Sequence, residues 1–386
     1  MSENLNKIIG NTFLELADAL EKGHFGSKIK VGITTLGSEH GVEAIIRAAE
    51  AANQNGDFQV VLIGKNPTNS SLEFFPAEDE KEAHKIMEDL LEKEYISGAV
   101  TMHYSFPIGV STVGKILTPG LGKSMFIATT TGTSATDRSE AMFKNSIYGI
   151  IAAKSCGIEN PTLGILNIDN AREVERALKK LSENGYPINF GESQRADGGN
   201  IMRGNDLLMG TTDIMVVDSL TGNILMKVFS AFNTGGSYEA LGYGYGPGIG
   251  FDYDKEILII SRASGEPVVT NALIYAAQLA KNNFKKVLKD EFAKVKKAKF
   301  DEILNELKKK NEKSSGPKEE FVKPNKEVVT EQISGIDIMD LEDAVEALMK
   351  KGIYAESGMG CTGPIILVNE KNVEKATEIL VAASFK

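Results

Sequence analysis

Strand-like and helix-like runs alternate along most of the first 280 residues of this chain. Lys30-Val31-Gly32-Ile33 passes through a loop into a helical pattern over 42–53, and 58–64 reads as the next strand. Met125-Phe126-Ile127-Ala128 precedes a loop rich in Thr, Gly and Ser, then a helix around 140–154. The strand-like run 163–168 is followed by a helix at 172–184, 213–217 by one near 223–232, and 257–261 by one at 271–280. Parallel strands need long crossovers, which helices supply. The rhythm therefore predicts an α/β fold with a largely parallel sheet covered by helices. Such sheets bind ligands at the carboxyl ends of their strands, so the loops after those strands are where chemistry is expected.

The chain has 386 residues, enough for two or three domains with a sizeable core. Its 42% hydrophobic and 25% charged content are those of an ordinary soluble globular protein. A net charge of −10 would repel phosphates of a nucleic acid, so no such partner is expected. The opening MSENLNKIIG lacks the charged-then-apolar layout of a secretion signal. No apolar run approaches the roughly 20 residues that span a bilayer, so no membrane contact is expected. Two cysteines, Cys156 and Cys361, lie far apart and form neither a disulfide nor a metal-ligand pattern. A reducing cytoplasm fits. His24, His40, His84 and His103 lack partners at catalytic or metal-ligand spacing, and no metal site is expected.

Leu5, Ile8, Ile9, Phe13, Leu16 and Leu20 keep helical spacing and predict an amphipathic first helix over 5–22. Composition shifts after about residue 284: Lys281 to Thr330 holds 15 Lys against 9 Asp and Glu. Phe284, Leu288, Phe292, Val295, Ile303 and Leu307 hold helical spacing there, predicting one long basic amphipathic helix. Its basic face either meets solvent or docks on an acidic partner. Residues 311–325, with Ser314, Ser315, Gly316, Pro317 and Pro324, read as a flexible tether. Beyond it, Asp340 as a cap, helices over 341–351 and 373–383, and strands at 353–356 and 365–368 make a small α+β module. The expected organisation is an α/β core over 1–284, a basic helix and linker over 285–330, and the module over 331–386.

Three glycine-rich segments resemble nucleotide loops and fail on inspection. Gly120-Leu121-Gly122-Lys123-Ser124 has Leu117 at the leading glycine position of a P-loop and runs into a strand, so a turn is expected. The glycines of 242–250 miss the dinucleotide spacing, and 37–41 lacks the Lys-Ser/Thr of a nucleotide site. No bound cofactor is expected. The hydroxyl-rich stretch Thr129–Asp137, containing Thr131, Gly132 and Thr133, ends at Arg138, whose fork suits a phosphate or phosphoester. It could equally be a capped Thr-rich loop. Asp218-Ser219-Leu220-Thr221-Gly222-Asn223 closes another strand, and Lys227 follows Asn223 by one helical turn, so both should face the same crevice.

Cys361 lies in Gly358-Met359-Gly360-Cys361-Thr362-Gly363-Pro364, a loop of mostly small residues. Glycines let backbone amides converge into an anion-binding nest, so Gly360, Thr362 and Gly363 could donate to an oxyanion while the Cys361 thiol attacks a carbonyl. A glycine-rich turn holding a small residue is the alternative. Cys156, among Ala and Ser near a helix end, reads as a small core residue.

The stretches GIENPTLGILNI (157–168), INF (188–190) and DIMVVDSLTGNILMK (213–227) resemble the phosphate acyltransferase family of bacterial phospholipid synthesis, the PlsX type. Where that family has a DGFTGNVxLK-like segment, this chain has Asp218 to Lys227; Thr131-Gly132-Thr133 replaces the family's glycine-alanine-asparagine loop. The resemblance implies a Rossmann-like core related to phosphate acetyltransferases, with Asp218, Gly222, Asn223 and Lys227 around an acyl-phosphate site. The run from GESQRADGGN to GYGPGIG and the GMGCTGP loop are similar to the component C alpha subunits of glycine/sarcosine/betaine reductase complexes, over nearly the whole chain. That resemblance implies a hetero-oligomer with a component C beta subunit and a carboxymethylated selenoprotein component. It also implies an acetyl thioester on Cys361, split by inorganic phosphate as co-substrate to acetyl phosphate. Two alternatives stay open: a PlsX-type enzyme using acyl carrier protein thioesters, and a non-catalytic scaffold subunit.

Overall fold

A computed structural model describes residues 29–195, 198–313, 323–336, 340–360 and 363–386. Apolar runs become strands buried on both faces, as parallel sheets require. The chain begins β1 (Lys30–Thr34), α1 (Val42–Asn55), β2 (Gln59–Gly64), β3 (Glu73–Pro76), α2 (Glu80–Glu92) and β4 (Gly98–Thr101). The hairpin β5 (Val110–Leu117) and β6 (Ser124–Thr133) leads to α3 (Arg138–Ser155), β7 (Thr162–Leu166) and α4 (Ala171–Glu183). Next come β8 (Asn189–Phe190), β9 (Ile201–Met202), α5 (Gly204–Met209), β10 (Ile214–Val216) and α6 (Ser219–Ala231). They are followed by β11 (Gly246–Ile249), β12 (Ile257–Ile259), α7 (Glu266–Lys281), α8 (Phe284–Lys297) and α9 (Phe300–Lys313). The last elements are β13 (Glu331–Ser334), α10 (Leu341–Lys350), β14 (Ala355–Gly360), β15 (Gly363–Val368) and α11 (Val373–Ala382).

Strands β1 to β12 form one sheet in the order 3-2-1-4-12-11-5-6-10-7-8, with β9 also beside β7. Only β5–β6, β5–β11 and β11–β12 pair antiparallel. The fold is thus the largely parallel, helix-covered sheet that the alternation predicts. The P-loop-like segment 120–124 is the β5–β6 turn, closed by a Thr118 amide donating to the Lys123 carbonyl at 2.8 Å. Helix α3 is buried nearly all round, and Gly149 lets it sit against Ile214 and Ala128, where a Cβ would come within 2.6 Å.

The single long basic helix expected from the spacing is instead two, α8 and α9, broken at Ala298–Lys299, where Lys299 takes a left-handed φ of 64°. The break turns the second apolar face back onto α3: Phe300 stacks on Phe143 at 5.0 Å and Phe251 on Phe292 at 4.1 Å. Glu291, buried on α8, accepts from Lys154 and Tyr186 at 2.8 and 2.7 Å. Burial opposes its charge, but hydrogen bonds from Lys154, Lys294 and Tyr186 outweigh that and hold its carboxyl below the usual range. The first helix (5–22) and most of the tether lie outside the described residues.

The last three strands form a separate antiparallel sheet, β13-β15-β14, packed with α10 and α11 around Ile333, Leu348, Ile366 and Leu380. Asp340 does precede α10, but its side chain makes no cap; it accepts from Arg176 of α4 at 2.7 Å, joining this unit to the core. An ion pair to a distant helix has displaced the local cap.

Glu256 is fully buried beneath Gly98, where a Cβ would come within 2.3 Å of its carboxyl, and its Oε1 has no hydrogen-bond partner. Burial pushes this carboxyl well above its ordinary 4.5, only partly offset by Lys285. A raised carboxyl binds its proton more tightly folded than unfolded. Its contribution to stability is therefore complete below about pH 4.5 and drains away as pH rises. Glu256→Gln is expected to flatten the loss of stability between pH 5 and 9, measured by urea unfolding at each pH. Parallel wild-type and variant curves would refute this.

Candidate active site

Three strands, β6, β10 and β7, lie side by side: Val216, the last residue of β10, pairs with Ala128 on one side and Ile165 on the other. Their carboxyl ends carry the sequence-predicted residues. The stretch after Ala128 is not the loop expected from its Gly and Ser content. Thr is a good strand former, and β6 runs on to Thr133 along β5. Thr129 and Thr130 form a bulge, since Thr112 pairs with Thr131 while Val113 pairs with Ala128. Their hydroxyls are spent internally: Thr129 donates to the Thr112 carbonyl, and Thr130 to the Tyr245 carbonyl at 2.8 Å. Thr131, Gly132 and Thr133 are less buried and remain toward the strand end; Gly132 takes φ +81°, with a would-be Cβ 2.6 Å from the Val110 carbonyl.

Arg138 opens α3 but does not present a free fork. It donates to Asp169 at 3.0 Å and to Asp218 at 2.8 Å, clasping the ends of β7 and β10. Asp218 caps α6, accepting from the Leu220 and Thr221 amides at 3.1 Å and from the Thr221 hydroxyl at 2.6 Å. Burial disfavours its charge, but Thr221 and Arg138 more than compensate, and its carboxyl lies below the usual range. A carboxylate with that many donors is fixed in place, and it ties Arg138 to the first turn of α6.

Gly222 is where α6 touches β6: a Cβ there would lie 1.7 Å from the Thr129 carbonyl oxygen. The close approach lets Asn223 donate to the Thr130 carbonyl at 3.1 Å. One turn on, the Lys227 ammonium stands 3.8 Å from Glu239 and 5.8 Å from the centre of the Tyr245 ring. Glu239 is buried, accepting from Tyr245 at 2.9 Å and Ser264 at 3.0 Å. Burial and the Glu239 charge together push the Tyr245 hydroxyl far up, so it stays a donor. Lys227, Val228, Phe232, Tyr238, Glu239 and Ala263 line a pocket of about 360 Å³ beside this cation.

Among the described residues, then, Thr131 to Thr133, Arg138 and Asp218 lie at or just past the ends of adjacent strands, and Gly222, Asn223 and Lys227 follow along α6. The structure adds groups the sequence reading missed. Asn145 of α3 accepts from Ser111 at 3.0 Å and Ser134 at 2.8 Å and so braces the strand end from beneath. Asp169, just after β7, was the one with a usable signal: an acid directly following a strand. No group of three or more metal-ligating side chains occurs among the described residues.

Cys361 and Thr362 lie outside the described residues. Their neighbours are strand rather than loop, as in the alternative reading of a glycine-rich turn between two strands. Strands β14 and β15 run through the glycines, and Gly360 pairs with Gly363 as the last rung of the hairpin. Cys156 is buried, and burial pushes its thiol up to about 12 despite the nearby Lys115, so it is no nucleophile. No described helix is long and apolar enough to cross a membrane.

The family described as "Fatty acid synthesis protein" matches residues 29–367. The component C subunit alpha of the glycine/sarcosine/betaine reductase complex of Peptoclostridium acidaminophilum is 62% identical over 378 residues, 98% of each chain. A phosphate acyltransferase of Thermotoga petrophila is 24% identical, covering 52% of this chain and 67% of that one. The crystal structure of a branched-chain phosphotransacylase from Enterococcus faecalis V583 aligns with a TM-score of 0.45 at 14% identity, over 65% of this chain and 99% of that one. The chain belongs to the fatty acid synthesis protein family, in the branch represented by the component C alpha subunits of glycine/sarcosine/betaine reductase complexes.

Proposed function

We propose that this chain makes acetyl phosphate by phosphorolysis of an acetyl thioester carried on Cys361. A phosphate oxygen attacks the thioester carbonyl, the tetrahedral oxyanion collapses, and the C–S bond breaks. The products are acetyl phosphate and the Cys361 thiol, which takes the proton that phosphate brought. The observation that carries this reading is the close approach of α6 to β6 at Gly222, where Asn223 donates to the Thr130 carbonyl at 3.1 Å and Lys227 follows one turn on beside a pocket. Lys227 is the cation for phosphate, and the first turn of α6 adds the positive end of its dipole. Gly360, Thr362 and Gly363 would supply donors to the oxyanion.

In this reading the two-carbon unit arrives from a carboxymethylated selenoprotein component, a component C beta subunit is the neighbouring chain, and the complex works in the cytoplasm. Inorganic phosphate is co-substrate and no cofactor is bound. Relatives named phosphate acyltransferase support acyl transfer to phosphate in general. They also favour a second reading, in which phosphate attacks a carrier-protein thioester directly and Cys361 is idle. Arsenate separates the two, because acetyl arsenate hydrolyses and makes the reverse reaction run to completion. Cys361→Ser is expected to abolish arsenate-dependent breakdown of acetyl phosphate; breakdown at the wild-type rate would refute the covalent step.

A further inference from the structure

The pairings β6–β5, β5–β11 and β11–β12 are all antiparallel, so β12, and with it β4 and β1, runs opposite to β6. Helix α6 starts past the carboxyl end of β10 and runs toward the carboxyl ends of β12 and β1. The chain beyond it is tied to the loop after β12: the Glu239 amide donates to the Ala263 carbonyl at 3.0 Å, and the Gly265 amide to the Glu239 carbonyl at 2.8 Å. The pocket beside Lys227 opens there, with Phe232 and Tyr238 on one side and Ala263 on the other.

The loop after β1 backs this pocket. It holds the stretch 37–41, which fails as a nucleotide motif and opens α1. The Glu39 amide donates to the Arg262 carbonyl at 2.9 Å, and His40 Nε2 donates to the Ala263 carbonyl at 3.2 Å. The His40 ring also meets the Tyr238 ring edge-on at 5.6 Å. His40 therefore touches two residues of the pocket wall while remaining exposed itself. A carbonyl oxygen only accepts, so in the neutral ring the proton sits on Nε2 and Nδ1 keeps a basic lone pair.

Splitting a thioester with hydrogen phosphate requires such a lone pair, because the phosphate proton has to end on sulfur. The titratable side chains lining the pocket do not offer one. Lys227 serves as a cation, Glu239 spends its two oxygens on Tyr245 and Ser264, and Tyr238 is a phenol, a poor base. We infer that His40 is the proton carrier of the phosphorolysis. Nδ1 takes the proton as the phosphate oxygen bonds to the carbonyl carbon, and returns it to sulfur as the C–S bond breaks. Hydrogen phosphate and thioester enter, acyl phosphate and thiol leave, and His40 ends as it began. Lys227 and Ala263 line one cavity, and a general base acts directly or through one water. The inference rests on the phosphorolysis reading but not on which thiol carries the acyl group, since either thiol needs the same proton.

The test compares wild type, His40→Gln and His40→Ala, each as the full chain, in arsenate-dependent breakdown of acetyl phosphate. Gln places an amide N–H where Nε2 stands, so it keeps the bond to Ala263 without a basic nitrogen. Both variants are expected to lose about 10²–10³-fold in kcat, the usual worth of a general base. KM for arsenate should stay within about threefold, because no binding group is removed. Added imidazole should raise His40→Ala by about tenfold or more and leave His40→Gln unchanged. His40→Gln should keep the wild-type midpoint in urea. An active wild type with an equally active His40→Gln would overturn the inference and leave phosphorolysis standing. Loss in both variants with no rescue by imidazole would also overturn it, reducing His40 to a support of its loop. An inactive wild type would overturn the phosphorolysis reading and this inference with it.

Discussion

Lys227→Met is expected to lower the rate of acetyl phosphate turnover by about 10²–10³-fold, the usual loss when one preorganised donor to a developing oxyanion or phosphate is removed. The substitution keeps an unbranched stem of similar reach and so isolates the charge. That charge is held in place from behind. Glu239, itself fixed by Tyr245 and Ser264, lies 3.8 Å from the ammonium, which stands at the exposed edge of the pocket. Steady-state kinetics against phosphate concentration would show the loss. If Lys227 binds phosphate, KM for phosphate should rise as well as kcat fall. A variant within threefold of wild type in both would remove Lys227 from the site.

Gly222→Ala should cost nearly as much by a different route. The added methyl would lie 1.7 Å from the Thr129 carbonyl oxygen and 2.8 Å from its carbon, and backbone in a sheet cannot step aside. Helix α6 must therefore move away from β6, taking Asn223 and Lys227 with it. A displacement of about 1 Å at a catalytic group commonly costs on the order of 10²-fold in rate. Overpacking of this kind also destabilises by roughly 1–3 kcal/mol, readable as a lower denaturation midpoint in urea. Gly204→Ala is the control, since nothing lies within 4 Å of a Cβ there. Equal activity in both variants would mean that the approach of α6 to β6 does not matter.

Much of this was legible in the sequence because the physics is local. Strands such as Val60–Ile63 are apolar without alternation, the mark of burial on both faces, and they fell where expected. The pairing of Asn223 with Lys227 followed from helical spacing alone. The failures share a cause, which is that a distant partner decided the outcome. Thr129 to Thr133 looked like a loop until β5 supplied a strand to pair with. For Arg138 the sequence did not reveal that Asp169 and Asp218 arrive from two other strand ends to hold it. Asp340 looked like a cap until Arg176 took it. The break between α8 and α9 had no glycine to announce it, because Lys299 itself adopts the left-handed conformation so that Phe300 can reach Phe143. Glu239 lies twelve residues beyond Lys227 with no motif between them, and only the fold brings the two together.

The central claim is a covalent acetyl group on one sulfur atom. Mass spectrometry of the full chain after incubation with acetyl phosphate tests it most directly. The account predicts a single adduct of roughly 42 Da, the mass an acetyl group adds, on the peptide holding Cys361, with the Cys156 peptide unmodified and the adduct lost on adding inorganic phosphate. Acetyl phosphate consumed at full rate with Cys361 never labelled, even after rapid acid quench, would contradict it.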